Sequence, residues 1–322
     1  LKWNYIPKMF HWFLHYFKNC NKKSMLHTAK YMNQILSLSN DAYEEIFQEI
    51  DTTGLVEKKG IIYVWTNKNL KSRKLEIKIR DDLGVKQKLL TKNQILDLEP
   101  NLNPVFDAGV LYDYAYHARD PHGIVKKLFE LFISLGGRFV KNEVKTIKQT
   151  KSNETEVITD SKSYKFEKTV LACGAFSKKL TDQLGEKIPL DTERGYHIHY
   201  KKMDHLLKRP VIFLDRGFGM TPMNQGLRAV GTVELGGLNN PITKKRIDYI
   251  DKCAKELLPQ LGDFQDEWLG FRPTLPDFLP VIGPSLKNRN IIYAFGHHHL
   301  GWTLGAITGK IVSGIVNEEK TN

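Results

Sequence analysis

The chain has 322 residues, 41% of them hydrophobic and 26% charged, proportions typical of a folded globular protein. This length favours two lobes over one simple domain, and the composition excludes disordered, collagen-like and small disulfide-rich classes. The formal net charge is +12, but the basic residues are scattered and no RNA-binding aromatic signature accompanies them, so nucleic acid is not the expected partner.

The first part of the chain combines helices with strands. Apolar positions recur at spacings of three and four between residues 7 and 50, which predicts helices there. Residues 9–17 are largely aromatic and flanked by lysines, so we expect a packed helix, with contact to a membrane surface as the alternative. The next predicted elements are a strand at 60–66, a short helix at 91–100 and a strand at 109–116.

The following stretch has the alternating style of α/β proteins. Asp120 is placed to cap a helix over 124–135. Residues 168–172 form a short apolar strand that leads into Cys173 and Gly174, where a helix opens, and this order of strand, glycine and helix is typical of α/β folds. Further strands are predicted at 138–140, 144–149, 156–159 and 163–166.

Strands dominate again after residue 195, and one more strand–helix unit closes the chain. An amphipathic helix is predicted over 241–260, and a strand at 291–295 leads through a glycine turn into a helix over 300–316. The other strands are predicted at 196–200, 211–214, 219–222, 227–233 and 281–283. Because the two styles alternate, we predict an α/β protein whose two lobes interleave along the chain.

The cysteines and the hydropathy pattern bear on the compartment. The cysteines are Cys20, Cys173 and Cys253. They are far apart and form no CxxC pair, which indicates reduced thiols in a cytoplasmic setting and no structural zinc site. The sequence contains no window of 18 consecutive apolar residues, so no transmembrane helix is expected.

The C-terminal helix carries glycines four residues apart. Gly301, Gly305 and Gly309 share one face, which lets this helix approach a sheet or a flat ligand closely. Its N-terminus carries unpaired N–H groups and a partial positive charge, which suits an anion or an electron-rich ring edge. A tightly packed terminal helix without a ligand is the alternative interpretation.

Six runs of sequence together resemble one family. They are DPHGIVKKL, TVLACGAFS, TERGYH, GTVELGG, GFRPTLPDFLPVIGP and GHHHLGWTLGAITGKIV. These runs resemble the FAD-dependent D-amino-acid oxidase superfamily and, within it, bacterial D-amino-acid dehydrogenases. The resemblance implies a Rossmann-like FAD-binding lobe, formed by 119–190 and 269–322, interleaved with a substrate lobe on a mixed or antiparallel sheet, formed by 1–118 and 191–268.

The family opens with a strand, a GxGxxG turn and a helix that hold the ADP half of FAD. No GxGxxG occurs in this sequence. The chain therefore resembles a family member without that unit, and we expect this polypeptide by itself to bind FAD weakly or not at all, because the pyrophosphate would lack its glycine turn and helix N-terminus.

The resemblance also implies positions that contact the cofactor. Val144 corresponds to the residue whose backbone contacts the adenine, and Ala172, Cys173 and Gly174 correspond to a strand-to-helix turn beside the cofactor. The turn and helix start at the flavin ring correspond to Gly296, His297, Leu300, Gly301, Trp302 and Thr303. A helix N-terminus there would stabilise negative charge on the reduced ring.

Arg272 is the main candidate for binding substrate. A guanidinium can hold an amino-acid carboxylate through two parallel hydrogen bonds, which fixes its orientation; an ion pair between lobes is the alternative. Tyr196 and His197 of the TERGYH run, together with His299, are expected to line the substrate pocket. Paired and tripled histidines could suggest a metal, but no carboxylate or cysteine lies at ligand spacing, so no metal site is expected.

The implied reaction is oxidative deamination of a D-amino acid, in which hydride passes from the α-carbon to the flavin and the imino acid is hydrolysed. No acid–base residue is assigned, because hydride transfer from a neutral amine needs no strong base. Electrons would leave to a quinone of the respiratory chain or to oxygen. The alternatives are a relative that oxidises glycine, sarcosine or a modified tRNA base, and a non-catalytic fragment.

Overall fold

The computed structural model describes residues 3–150 and 154–317. Helices and strands alternate through both ranges. The α-helices are α1 (Phe10–Asn19), α2 (Lys22–Leu36), α3 (Ser39–Gln48), α4 (Leu70–Asp82), α5 (Lys92–Leu98), α6 (Pro121–Ser134), α7 (Ser177–Gln183), α8 (Lys244–Leu257) and α9 (Gly301–Val316). The strands are β1 (Val56–Glu57), β2 (Ile61–Trp65), β3 (Lys88–Thr91), β4 (Ala108–Tyr112), β5 (His117–Ala118), β6 (Val144–Gln149), β7 (Thr155–Thr159), β8 (Ser163–Phe166), β9 (Thr169–Leu171), β10 (Asp191–Lys201), β11 (Val211–Phe213), β12 (Phe218–Met223), β13 (Gly226–Leu235), β14 (Asp266–Thr274), β15 (Val281–Pro284) and β16 (Ile291–Phe295).

Side-chain caps begin several of the helices. The Thr91 hydroxyl accepts from the backbone N–H of Gln94, whose own side chain accepts from the Thr91 N–H, and this capping box starts α5. The Asp120 carboxylate accepts from the Gly123 N–H at 3.0 Å and starts α6, as its position in the sequence predicts.

An eight-stranded sheet carries much of the chain. Its strand order is β14-β10-β13-β12-β11-β2-β4-β3. Neighbouring strands are antiparallel except β11 and β2, which run parallel. The sheet therefore joins strands from the early part of the chain to strands that lie after residue 190, and β14, which bears Arg272, stands at one edge.

Smaller sheets use the remaining strands. One has the order β15-β16-β9, with β16 and β9 parallel; another is the antiparallel β6-β7-β8; and β1 pairs with β5. This mixed α/β architecture confirms the predicted fold class. The division of the chain into four lobe segments stays a prediction.

One face of the eight-stranded sheet builds the main hydrophobic core with α8. Its fully buried members include Ile247, Ile250, Ala254 and Leu257 from α8 and Tyr196 and Ile198 from β10. Successive side chains of a strand point to opposite faces, so the alternate residues of β10, beginning with Glu193, lie on the other face. The candidate site lies on that second face.

The structure also departs from the sequence predictions. Residues 138–140 form no strand, and the predicted helical region 7–50 is divided into α1, α2 and α3 after a short 3-10 turn. The sequence patterns missed α4, β3 and β14. No helix among the described residues combines the length and apolar character needed to cross a membrane.

Candidate active site

The parallel pairing of β9 and β16 brings two turns to one edge of their sheet. Thr169 pairs with Ile291 and Leu171 with Tyr293, so both strands end side by side. Ala172, Cys173 and Gly174 follow β9 and lead into α7, while the residues from Gly296 onward follow β16 and lead into α9. Turns predicted to contact a cofactor from distant parts of the sequence therefore lie at the same edge.

The turn after β16 has a constrained backbone. Gly296 has φ +84°, and a Cβ there would lie 2.2 Å from Leu275 Cδ1, so only glycine fits without a shift of its surroundings. His298 has φ +57°, a region that non-glycine residues seldom occupy, and its N–H donates to the Pro273 carbonyl at 2.9 Å. This bond ties the turn to β14. Strained turns of this kind are frequent at functional sites.

The first residues of α9 are exposed, and they follow directly on the turn after β16. No side chain caps the helix, and Gly301, Trp302 and Thr303 are exposed. Tyr43 of α3 donates its hydroxyl hydrogen to the Trp302 carbonyl, and this bond ties the first turn of α9 to α3. The helix therefore presents uncapped N–H groups and its positive dipole end beside the turn.

These residues fit the flavin that the sequence predicts. A Cβ at Gly301 would meet nothing nearer than His297 Cβ at 3.7 Å, and Gly174, with φ +54°, would have nothing within 4 Å. His297, in the turn itself, is hydrogen-bonded to α9, with Nε2 3.0 Å from Thr308 Oγ1. An uncapped helix start and two open glycine positions can accommodate a flat, electron-rich ring edge.

Arg272 lies on β14, directly opposite Glu193 of β10. Its guanidinium folds over Gly195, where Nη2 would lie 2.5 Å from a Cβ, so a side chain at Gly195 would displace it. Nη1 donates to the Thr232 carbonyl at 3.2 Å. Burial lowers the pKa of Arg272, and the carboxylate of Glu193 opposes that shift. The guanidinium is thus placed by its neighbours, and among the described residues its other N–H groups have no hydrogen-bond partner, so they can bind a ligand.

Glu193 and His298 complete the polar part of the site. The Glu193 side chain is only 14% exposed, and Oε2 lies 3.7 Å from His298 Nδ1, too far for a good hydrogen bond. Burial raises the pKa of Glu193, and the charge of Arg272 partly offsets this rise. Burial, together with the nearby His299 and Arg272, lowers the pKa of His298 to about 4, so that this imidazole is neutral at pH 7.

The other residues predicted to bind substrate lie in different surroundings. His197 is on the same face of β10 as Glu193 and stacks on Trp268, with ring centroids 4.9 Å apart. His299 is exposed beside His298. Tyr196 points to the core face, where its hydroxyl donates to Glu234 Oε2 at 2.6 Å. The substrate role of Tyr196 stays a prediction, although its hydroxyl already has a partner.

Val144, predicted to contact the adenine, starts β6 and packs against the smaller core that contains Leu171 at the end of β9. Sequence reasoning did not select Glu193 or His298. Glu193 lies inside the TERGYH run, but only the pairing of β10 with β14 places it opposite Arg272. The neighbours of His298 likewise depend on tertiary contacts.

A separate cavity of about 450 Å³ opens between α1 and β15. Its walls are mainly apolar and include Leu275, Pro276 and Val281. Its polar lining residues are His15, Asn19, Glu186, Asp277 and Tyr293. The Tyr293 hydroxyl donates to Glu186 at 3.0 Å. The residues that line this cavity include none of those predicted to bind cofactor or substrate, so we do not place the chemistry there.

Comparison with known proteins gives one family. The model of a family described as DAO, FAD dependent oxidoreductase, matches residues 11–315. The chain is 28% identical to a D-amino-acid oxidase of Bradyrhizobium diazoefficiens, over 98% of this chain and 77% of that protein. It is 29% identical to a D-amino acid dehydrogenase of Vibrio atlanticus, over 97% of this chain and 76% of that protein.

A solved structure shows the same fold. Glycine oxidase from Bacillus cereus superposes with a TM-score of 0.79 at 23% identity, covering 89% of this chain and 81% of the other. Since the identity is low, this likeness concerns the architecture alone.

Proposed function

Because the chain belongs to the DAO family of FAD-dependent oxidoreductases, we propose that it oxidises the Cα–N bond of a D-amino acid. The observation that carries this proposal is Arg272, a partly buried guanidinium beside the turn and helix start predicted to hold the flavin. The names of the two curated relatives support the choice of a D-amino acid as substrate.

Different residues of this chain would hold the flavin end and the adenine end of FAD. Gly174, the turn at Gly296 and the exposed start of α9 would hold the flavin, and Val144 would contact the adenine through its backbone. When bound, FAD supplies the acceptor for the hydride that leaves the α-carbon. The positive end of α9 favours negative charge nearby, so this helix start would help to stabilise the reduced ring.

Arg272 would orient the substrate. Its one described side-chain hydrogen bond, to the Thr232 carbonyl, uses Nη1. The remaining N–H groups can form a fork that matches a carboxylate, and a carboxylate held at two points turns the α-carbon in a fixed direction. His197, on the same face of β10 as Glu193, and His299, whose pKa the charge of Arg272 helps to lower, would line the pocket for the substrate side chain.

We propose a quinone of the respiratory chain as electron acceptor, with oxygen as the second candidate. Helix α1 supports contact with an inner-membrane surface from the cytoplasmic side, because Phe10, Leu14 and Phe17 are 57%, 54% and 67% exposed. Lys8 and Lys18 flank this apolar row, an arrangement that suits an interfacial helix on an anionic surface.

The test is reduction of the bound flavin. FAD-loaded protein is mixed without oxygen with D-amino acids, their L-enantiomers, glycine and sarcosine, and loss of the visible flavin absorbance is followed. We expect bleaching by at least one D-amino acid and none by its L-enantiomer. Bleaching by glycine or sarcosine alone would assign the protein to the other amine-oxidising class, and no bleaching by any D-amino acid would refute the proposal.

A variant pair ties this activity to the site. Arg272→Ala removes the fork and should lower catalytic efficiency by about 30- to 1,000-fold, which corresponds to about 2–4 kcal/mol. Arg272→Lys should recover only part, because an ammonium keeps the charge but loses the planar fork. The matched control is Arg216→Ala, since Arg216 pairs with Glu256 away from the site. An Arg272→Ala variant within about twofold of wild type would remove the observation that carries the proposal.

A further inference from the structure

We propose that Glu193 binds the ammonium group of the substrate in the complex that forms before the amine loses a proton, so that Glu193 and Arg272 together form a site for the zwitterionic head of an amino acid. This inference rests on the proposed function, because it assigns the second charge of the same substrate. It selects free amino acids with an unblocked cationic amine over simple carboxylic acids.

The first support is the strand register. Glu193 and Arg272 are directly opposite on neighbouring strands β10 and β14, and opposite residues of an antiparallel pair point to the same face. Neighbouring strands lie about 4.7–4.9 Å apart. The ammonium and carboxylate groups of an amino acid are both bonded to the α-carbon. The residues that bind them must therefore be close neighbours, as Glu193 and Arg272 are.

The second support is that the two charges leave room between them. No direct hydrogen bond or ion pair joins Glu193 to Arg272, although each influences the pKa of the other. Arg272 instead folds over Gly195 and donates to the Thr232 carbonyl. An ion pair that served only the fold would be expected to close into contact, because that contact repays the removal of both charges from water.

The third support is that, among the described residues, none donates a hydrogen bond to Glu193. Its side chain is 14% exposed and accepts no hydrogen bond from the described residues. The charged and titratable groups that face it are Arg272 of β14, His298 of the turn after β16 and Tyr16 of α1. A substrate ammonium, with three N–H donors, would satisfy this carboxylate.

The experiment compares ligands that differ only in the amine. Isothermal titration measures the binding of D-alanine and propanoate, and of D-norvaline and pentanoate, to the full chain without added flavin, so that no turnover consumes the ligand. Glu193→Gln keeps the shape and removes the charge. We expect it to weaken binding of the D-amino acids by about tenfold or more, while the plain carboxylates bind equally well or more tightly near Arg272.

Two further variants make the comparison decisive. Glu193→Asp keeps a carboxylate and should recover part of the D-amino-acid affinity, while Glu267→Gln, which changes a carboxylate of β14 paired with Lys244, should change neither ligand class. Thermal melting confirms that each variant is folded. Should Glu193→Gln fail to fold, the difference between amine and carboxylate ligands in Glu193→Asp is the measurement, and no selective loss there would overturn the inference.

The remaining outcomes separate the two proposals. Equal loss of both ligand classes in Glu193→Gln would mean that Glu193 only supports Arg272, and no loss of either would mean that it touches no ligand; each result overturns the ammonium site. The proposed function would still stand if Arg272→Ala weakened binding of both classes and D-amino acids bleached the flavin. Failure of the wild type to bind any D-amino acid, together with no bleaching of the flavin by any D-amino acid, would overturn both.

Discussion

Replacing Tyr196 with phenylalanine decides whether its hydroxyl serves the substrate or the fold. The side chain is fully buried and donates to Glu234 Oε2 at 2.6 Å. Glu234 also accepts from Thr243 Oγ1 at 3.0 Å, and Arg194 and Arg246 approach it at 3.3 and 3.4 Å. The phenylalanine ring fills the same space, so the variant removes one hydrogen bond from this network without opening a large cavity.

The expected loss of stability follows from that one bond. A hydrogen bond to a charged group contributes about 1.5–3 kcal/mol, and Glu234 keeps its other partners, so we expect a loss near the low end, about 1.5–2 kcal/mol. Burial alone would raise the pKa of Glu234, but the hydrogen bonds from Tyr196 and Thr243 and the two arginine charges outweigh it, and this pKa is lowered.

The sign of the pH effect is fixed by that lowered pKa. A carboxyl group with a lowered pKa in the fold stabilises the protein above its unfolded value of about 4.3, and this stabilisation is lost as the pH falls further. The difference between wild type and Tyr196→Phe should therefore be larger at pH 7 than at pH 4.

Urea unfolding at both pH values measures the contribution of the Tyr196 hydroxyl to the fold. The Michaelis constant for a D-amino acid measures its contribution to substrate binding. We expect the stability loss with a Michaelis constant within about twofold of wild type. An unchanged free energy of unfolding together with a tenfold or greater rise of the Michaelis constant would refute this reasoning and would place the hydroxyl of Tyr196 against the substrate.

Three further predictions use other parts of the structure. Tyr43→Phe removes the hydrogen bond to the Trp302 carbonyl and should weaken FAD binding by about two- to tenfold, measured by flavin fluorescence; unchanged affinity would show that α9 needs no support from α3. Gly296→Ala should lower the melting temperature more than Gly136→Ala, because both have positive φ but only the first would bring a Cβ against a neighbour; equal losses would contradict the steric argument. Burial lowers the pKa of His117 to about 4 from an unfolded value of about 6.5, so the unfolded chain binds the proton first and stability should fall as the pH is lowered from about 6.5 to about 4. His117→Gln should make the melting temperature less dependent on pH across this range.

Local signals in the sequence predicted the elements with strong periodicity or clear caps. The helix started by Asp120 and the strand–turn–helix unit at the C-terminus are examples, since their period, cap and glycine turn are all encoded within a few residues. Strand β14 was missed because Gly270 and Pro273 interrupt its alternation, and its strand character comes from pairing with β10, which lies far earlier in the chain. The reverse error occurred at 138–140, where Arg138, Phe139 and Val140 predict a strand but pair with no strand among the described residues.

The candidate site was predictable only to the extent that motifs reveal it. Resemblance to a family selected Arg272 and the glycine turn at Gly296, and the structure brings both to one region through the bond from His298 to Pro273. Glu193 could not be selected in this way. A carboxylate beside an arginine in sequence is commonplace, whereas the position of Glu193 opposite Arg272 depends on strand register, and the position of the guanidinium depends on the space that Gly195 leaves for it.

The parallel pairing of β2 with β11 has a consequence for how the protein folds. Ile62 pairs with Val211, and Thr169 of β9 pairs with Ile291, so both parallel contacts close very long loops of chain. Closing such loops loses entropy before the contacts can compensate, and chains rich in distant pairings fold slowly. Because Arg272 pairs with Glu193 across roughly 80 further residues of chain, we expect ligand affinity to appear only in the last kinetic phase of refolding.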